Sequence, residues 1–376
     1  MTAPTYLDHN ATTTLRPEAI AAVTHTLALT ANPSSVHGPG RAARKILEDA
    51  RSKVAALVGA RPGDVIFTSG GTEASNLAIR GCGLSRVLVS ATEHPSVLQC
   101  GGDTIHVDGN GVIDLAHLDA MLAADDTPAL VSVMLANNES GVIQPVADVA
   151  AIAHRHGAVV HCDAVQGCGK IAVDMAALGV DFMSLSAHKI GGPAGAGALI
   201  VRGLEGGTAC HLNAISFGGG HERGLRAGTE NLSGIAGLAA AAEAALNGLD
   251  AFARLSVLRD ALENGVRALA PATVFISDGV ERLPNTSFFA LAGLDSDTQV
   301  MSLDLAGVAI SAGSACSSGK VKASAMVKAM NMGNDLATAA IRVSLGWPST
   351  EDDVAAFLSA WGNLLKTKDI LTGTAA

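Results

Sequence analysis

The sequence predicts a largely parallel α/β domain followed by a smaller α+β domain. Short apolar runs alternate with helix-length segments through the first two-thirds of the chain, the pattern of parallel strands joined by crossover helices. An alanine-rich helical stretch over 235–246 and a second helix from Ala251 then lead into a different region from about residue 255. With 376 residues, 48% of them hydrophobic, the chain can bury a large core and would usually divide in two.

Taken in order, residues 41–58 read as an amphipathic helix, with Ile46, Leu47, Ala50, Val54, Leu57 and Val58 on one side and Gly59 as its stop. Seven strands are predicted, at 64–69, 86–91, 104–108, 129–135, 158–163, 181–186 and 197–202. A helical pattern over 74–79 follows the first of them, and another resumes at 326–330. No repeat, linker or low-complexity tract interrupts the chain, and residues 372–376 read as a frayed tail.

Three stretches carry chemistry. In Ser184-Leu185-Ser186-Ala187-His188-Lys189 a lysine stands where a strand stops, just before Gly191-Gly192-Pro193. There a lysine can project into a site from rigid backbone, as Schiff-base chemistry requires, although most lysines after strands are simply solvated. Asp163, 26 residues upstream, ends another apolar run, and neighbouring parallel strands open their carboxyl ends into one crevice. A pyridoxal phosphate ring needs such a pair: a lysine to hold its aldehyde and a carboxylate to keep its pyridine nitrogen protonated. Taken alone, Asp163 is equally well a helix cap.

The third stretch, Phe67-Thr68-Ser69-Gly70-Gly71-Thr72-Glu73-Ala74, joins a strand to a helix. Its glycines let backbone approach an anion, and the first helical amides point at it, which makes a phosphate seat. The lysine of a P-loop and the spacing of a dinucleotide fingerprint are both missing, which disfavours nucleotides. A plain glycine-rich turn capped by Thr72 is the other reading.

Composition excludes further classes. The net charge is −10 and aromatics make up 3%, with no basic block, so nucleic-acid binding is disfavoured. No run approaches the length of a membrane span, which argues against membrane binding. The start, Met1-Thr2-Ala3-Pro4-Thr5, has no basic region or apolar signal core, so a cytoplasmic protein is expected. The six cysteines (Cys82, Cys100, Cys162, Cys168, Cys210, Cys316) show no CxxC spacing and read as reduced thiols. His154, His156, His161, Cys162 and Cys168 cluster in sequence, but adjacent strand residues point to opposite faces and the two helical histidines are badly spaced, so no intrinsic metal is expected.

With these motifs in hand, the chain resembles the NifS/IscS-type cysteine desulfurases of the class V, fold type I pyridoxal 5'-phosphate (PLP) enzymes. The resemblance runs from Tyr6-Leu7-Asp8-His9-Asn10-Ala11-Thr12-Thr13 to Arg342-Val343-Ser344-Leu345-Gly346. Between them, besides the three stretches above, lie Asn32-Pro33-Ser34-Ser35-Val36-His37, Ala91-Thr92-Glu93-His94, Asn137-Asn138-Glu139-Ser140-Gly141, Arg226-Ala227-Gly228-Thr229-Glu230-Asn231 and Ser311-Ala312-Gly313-Ser314-Ala315-Cys316. The resemblance implies a large domain at 14–255 with a mostly parallel seven-stranded sheet. The small α+β domain would be 1–13 with 256–376.

It also implies roles. Lys189 would hold the cofactor and move the substrate's Cα proton, Asp163 would pair with the pyridinium nitrogen, and Gln166 would donate to the ring phenolate with Asn138 beside it. His94 would stack on the ring and shuttle protons. Gly71, Thr72, Ser186 and His188 would hold the phosphate, completed in a homodimer by Thr229 of the other subunit. Arg342 would clamp the carboxylate of L-cysteine with a bidentate fork, with Asn138 and Asn10 alongside.

Cys316 would attack the substrate sulfur, leaving a persulfide and releasing alanine. Its neighbours Gly313, Ser314, Ser317, Ser318 and Gly319 are small, and the stretch reads as a mobile loop whose extended reach of roughly 30 Å would carry sulfur to an iron–sulfur scaffold or another acceptor. Such a cysteine could also ligate an iron–sulfur cluster transiently. A free thiol has a pKa of about 8.5, so local lowering or proton transfer is needed.

Departures from the family's usual pattern are His221 for glutamine, Ala194 for a basic residue and Thr14 for proline. Three other readings are a class V aminotransferase or lyase, such as a selenocysteine lyase, with no use for Cys316; a nicotinamide-dependent oxidoreductase, for which the glycine fingerprint is absent; and a non-catalytic sulfur-relay subunit.

Overall fold

The computed structural model describes residues 4–207, 210–313 and 323–368. After a short opening strand β1 (Thr5–Tyr6), seven strands form the central sheet: β2 (Val65–Thr68), β3 (Arg86–Ser90), β4 (Asp103–Ile105), β5 (Ala129–Met134), β6 (Val159–Asp163), β7 (Phe182–Ser186) and β8 (Gly197–Val201). Their spatial order is β2-β8-β7-β6-β5-β3-β4. All neighbours are parallel except β8, which runs antiparallel to both β2 and β7. The mostly parallel seven-stranded sheet expected from the sequence is present.

The strands β5, β7 and β8 are buried throughout, which is why they read as unbroken apolar runs instead of alternating ones. One core packs the helices Gly38–Leu57, Val146–Arg155 and Leu232–Asn247 on one face of the sheet. On the other face the helix Gly71–Gly81 supplies Ala74, Leu77 and Ala78 to a second cluster. The helix predicted at 41–58 begins three residues earlier, because His37 accepts from Gly40 N as its cap and Pro39 suits a first turn. The predicted strand 104–108 shrinks to β4, an edge strand with Asp103 and Thr104 exposed.

The later part of the chain has its own core. β9 (Val274–Phe275), β10 (Thr286–Ala290), β12 (Ser311–Ala312) and β13 (Ala340–Ser344) form an antiparallel sheet in the order β12-β13-β10-β9, and β11 (Val308–Ala309) pairs in parallel with β1. Phe289, Phe357 and Trp361 pack edge-on and stacked in this core, with Leu262 and Val266 from the helix Leu255–Leu269. Leu7 belongs to the same cluster, so the first residues pack with the last third of the chain.

Among the described residues no single helix is long and apolar enough to cross a membrane. The bent pair Leu232–Asn247 and Leu249–Leu269 passes that test by length and composition, but the first member is the buried core helix just described.

Candidate active site

A cavity of about 460 Å³ opens at the carboxyl ends of β5, β6 and β7, beside the start of the helix Gly71–Gly81. This is where parallel α/β sheets leave room for ligands. Register brings the strand ends together: Met134 lies opposite Asp163, and Asp163 opposite Ser184.

Asp163 is buried at the end of β6, and its Oδ1 accepts from Val165 N at 3.0 Å. Burial pushes its carboxyl up, opposed by the charges of His94 and Lys189 and by that amide. Glu93 lies close behind. Its Oε1 accepts from Met134 N at 2.6 Å, while Oε2 has no hydrogen-bond partner among the described residues. Burial, and then the neighbouring Asp163, push Glu93 well above the ordinary carboxylate range.

Lys189 ends the short turn Ala187–Lys189 that follows β7, and its Nζ donates to Asn10 O at 2.6 Å and Ala11 O at 2.7 Å. His94 caps the helix Pro95–Leu98, its Nδ1 accepting from Ser96 N at 3.1 Å, which leaves the proton of a neutral ring on Nε2. Burial, then Lys189, lower His188 to about 4, so it is neutral near pH 7.

At the seat, a Cβ on Gly71 would stand 2.7 Å from Val165 Cγ2, so glycine is what lets the helix start approach the cavity wall. Thr72 lies within the helix, with Gly70 as the cap, instead of capping it itself. Ser69 N is already taken by Glu73 Oε2 at 2.6 Å, and Glu73 in turn pairs with Arg226 at 2.9 Å.

Arg342, on β13, is 2% exposed and reaches the cavity from the opposite side. Its Nη2 pairs with Asp8 Oδ1 at 2.5 Å, its Nη1 donates to Asn138 O at 2.8 Å, and its Nε has no partner among the described residues. Asn10 lines the cavity, but its amide is committed: Nδ2 donates to Thr286 Oγ1, and Oδ1 accepts from Lys170 Nζ and Asn285 Nδ2. Gln166 Nε2 donates to Asn10 O, while its Oε1 accepts from Lys170 at 2.7 Å.

Sequence reasoning missed Lys170, Asp8 and Glu93. Lys170 is 4% exposed, and burial, then Lys189 and Arg342, drive its amine well below the usual lysine range. Its Nζ donates to both Gln166 Oε1 and Asn10 Oδ1, an arrangement that turns the NH₂ end of Gln166 toward Asn10 O. Its place four residues after Gln166, behind two glycines, was the available signal.

Of the sequence-predicted residues, Asn10, Gly71, Thr72, His94, Asn138, Asp163, Gln166, Ser186, His188, Lys189 and Arg342 all line this cavity. Thr229 is exposed and does not. Cys316 lies outside the described residues. His161, in the tempting His/Cys cluster, instead bridges Ser132 Oγ and Ser184 Oγ at 2.8 Å each inside the core.

The Aminotransferase class-V family model matches residues 5–357. This chain belongs to that family. It is 42% identical over 366 residues to a cysteine desulfurase of Cereibacter sphaeroides, covering 93% of this chain and 92% of that one. It is 38% identical to an IscS-like cysteine desulfurase of Mycobacterium tuberculosis, covering 94% of each. Among solved structures, a NifS-like protein from Rickettsia africae superposes with a TM-score of 0.88 at 33% identity, over 96% of this chain and 99% of that one.

Class V aminotransferases are PLP enzymes, and the cavity suits that group on its own geometry. A buried carboxylate stands at its base, a lysine amine beside it, and a glycine cradle at a helix start on its rim.

Proposed function

We propose that this protein is a PLP-dependent cysteine desulfurase, a sulfurtransferase that removes sulfur from L-cysteine, releases L-alanine and holds the sulfur as a persulfide on Cys316. The observation that carries this reading is the convergence of Asp163, Lys189 and Arg342 on one cavity, in a chain whose relatives at about 40% identity are cysteine desulfurases.

PLP, when bound, accepts the electron pair left on the substrate's Cα. Asp163 keeps the ring nitrogen protonated from its buried position, and Gly71, Thr72, Ser186 and His188 hold the phosphate beside the first helical amides. His94 covers the ring face. Arg342, which reaches the cavity wall, takes the substrate carboxylate. Asn138 lies beside it and Asn10 behind. Lys189 removes the proton from Cα and returns one to the alanine product. The thiolate of Cys316 attacks the substrate sulfur, so that an S–S bond forms as the C–S bond breaks, and Cβ takes up, by way of His94, the proton that the Cys316 thiol gave up.

The persulfide then passes to an acceptor, an iron–sulfur scaffold protein being the first candidate. A homodimer is part of the proposal. Thr229 is exposed and outside its own chain's cavity, and Leu27, Val36 and Phe217 leave large apolar side chains in solvent for a second copy to cover. The proposed division, 14–255 against 1–13 with 256–376, is supported by the separate cores, although Phe252 and Leu255 already join the second one. A cytoplasmic location suits a reaction that requires Cys316 to stay a free thiol.

Replacing Cys316 by Ser tests the reading. L-cysteine should still change the absorbance of the holoenzyme, since the cavity residues are untouched, while alanine and sulfide production stop and no sulfur adduct appears on the loop peptide. Undiminished sulfide release by this variant would favour a class V lyase such as a selenocysteine lyase.

A further inference from the structure

Lys170 is a buried amine that the chemistry proposed above leaves unused. It stands in the turns after β6, behind the cavity wall. The charges that act on it, Lys189 and Arg342, are both positive, and no acid is among them. His9 is its other titratable neighbour, lowered to about 4 by burial and then by Lys170. A lysine this deep without a counter-charge is costly to keep.

Its two acceptors, Asn10 Oδ1 and Gln166 Oε1, each lie 2.7 Å from Nζ. These two residues also meet each other, because Gln166 Nε2 donates to Asn10 O at 2.9 Å. Lys170 therefore closes a ring of three hydrogen bonds. Lys189 Nζ donates to the same Asn10 O at 2.6 Å, so one carbonyl holds the Gln166 amide and the Lys189 amine side by side. Asn10 is anchored from the other core: Nδ2 donates to Thr286 Oγ1 at 2.9 Å, and its amide donates to Ser344 Oγ at 3.0 Å.

That spacing matters to PLP, whose aldehyde and ring oxygen sit on adjacent ring carbons. An NH₂ group has two hydrogens, and Gln166 spends one on Asn10 O, which leaves the other for the ring oxygen. Donation from Lys170 to Oε1 polarises the same amide and strengthens it as a donor.

We infer that Lys170 is a positioning residue that bridges Gln166 and Asn10, and so sets the Gln166 amide and the Lys189 amine at the spacing of the PLP ring oxygen and aldehyde. The inference rests on the cofactor reading proposed above.

Lys170→Met keeps the length of the side chain and removes its donors. A weaker donor at the ring oxygen leaves more negative charge beside the proton on the Lys189 nitrogen, so that proton is lost at higher pH. In the purified holoenzyme the pH midpoint of the visible absorbance change should rise by about half a unit to one unit, the span of one neutral hydrogen bond. The catalytic rate constant should fall roughly tenfold, with KM for L-cysteine within about twofold of wild type. Gln166→Ala should raise the midpoint at least as far, and Lys170→Met added to it should raise it no further.

An unmoved midpoint in Lys170→Met would overturn the inference. Additive shifts in the double variant would overturn it too, since Lys170 would then act without Gln166, as would a raised KM with an unchanged rate constant. Should Lys170→Met fail to fold, Lys170→Gln, too short to bridge both acceptors, should show the same rise, and its absence decides against the bridge. A wild-type protein without visible absorbance that depends on Lys189 would defeat the cofactor reading and this inference with it, a result distinct from an unmoved midpoint.

Discussion

The two halves of the cavity are built differently. The sheet-end half, with Asp163, Ser186 and Lys189, comes from adjacent strands of one sheet, whose register alone sets the spacing. The Arg342 half is assembled from three distant pieces: Arg342 meets Asp8 across 334 positions and Asn138 across 204. In the first half, burial pushes the carboxyls of Asp163 and, behind it, Glu93 upward. In the second, an ion pair and a carbonyl hold a permanently charged fork in place. The difference implies that damage to the sheet-end half stops the chemistry, whereas damage to the Arg342 half weakens binding and leaves the chemistry intact.

The sharpest way to break that comparison is Lys189→Ala. Both cofactor anchoring and Cα deprotonation depend on this amine, so turnover and the lysine-dependent visible absorbance of the bound cofactor should vanish together. Measurable alanine production from L-cysteine would show that the sheet-end half does not carry the chemistry.

Arg342→Ala is the matching cut on the other side. If the substrate carboxylate is desolvated against the guanidinium, its loss should weaken binding by on the order of 2–4 kcal/mol, roughly 30- to 1000-fold in KM. The cofactor spectrum should be unchanged. A KM for L-cysteine within the wild-type range would remove Arg342 from the substrate site.

The same contrast explains what could be read from the sequence. Asp163, Lys189 and the Gly70-Gly71-Thr72 seat were legible because each stands where an apolar run meets small residues, a local signal. The inner strands were legible because burial on both faces makes them continuous apolar runs. Resemblance of motifs, more than periodicity, pointed to Arg342. What escaped depends on long-range contacts. The two glycines before Lys170 are only a weak local signal, and its burial shows once Asn10, 160 positions away, stands beside it. Glu93 differs from an ordinary acid because it is buried, and then because Asp163 lies beside it, while Met134 N, which donates to Oε1, pulls the other way. The two-residue strands β1, β9, β11 and β12 are too short for any period to show.

Asp8 offers the finest test, because among the described residues it is the one acid paired with Arg342 and its effect on an incoming carboxylate has a definite sign. With Asp8 in place, a substrate anion must approach a guanidinium that already carries a negative partner on Nη2. The two carboxylates repel through the same fork, and the pair is shielded from water because Arg342 is nearly fully buried. Asp8→Asn removes the charge but keeps a carbonyl oxygen that can accept from Nη2, so the arginine should stay in place. KM for L-cysteine should therefore fall, by roughly fivefold if about 1 kcal/mol of repulsion is relieved. The catalytic rate constant should hardly move, since the sheet-end half is untouched. A rise in KM would mean instead that Asp8 acts mainly by orienting Arg342, and that the Arg342 half is as dependent on fixed geometry as the sheet end.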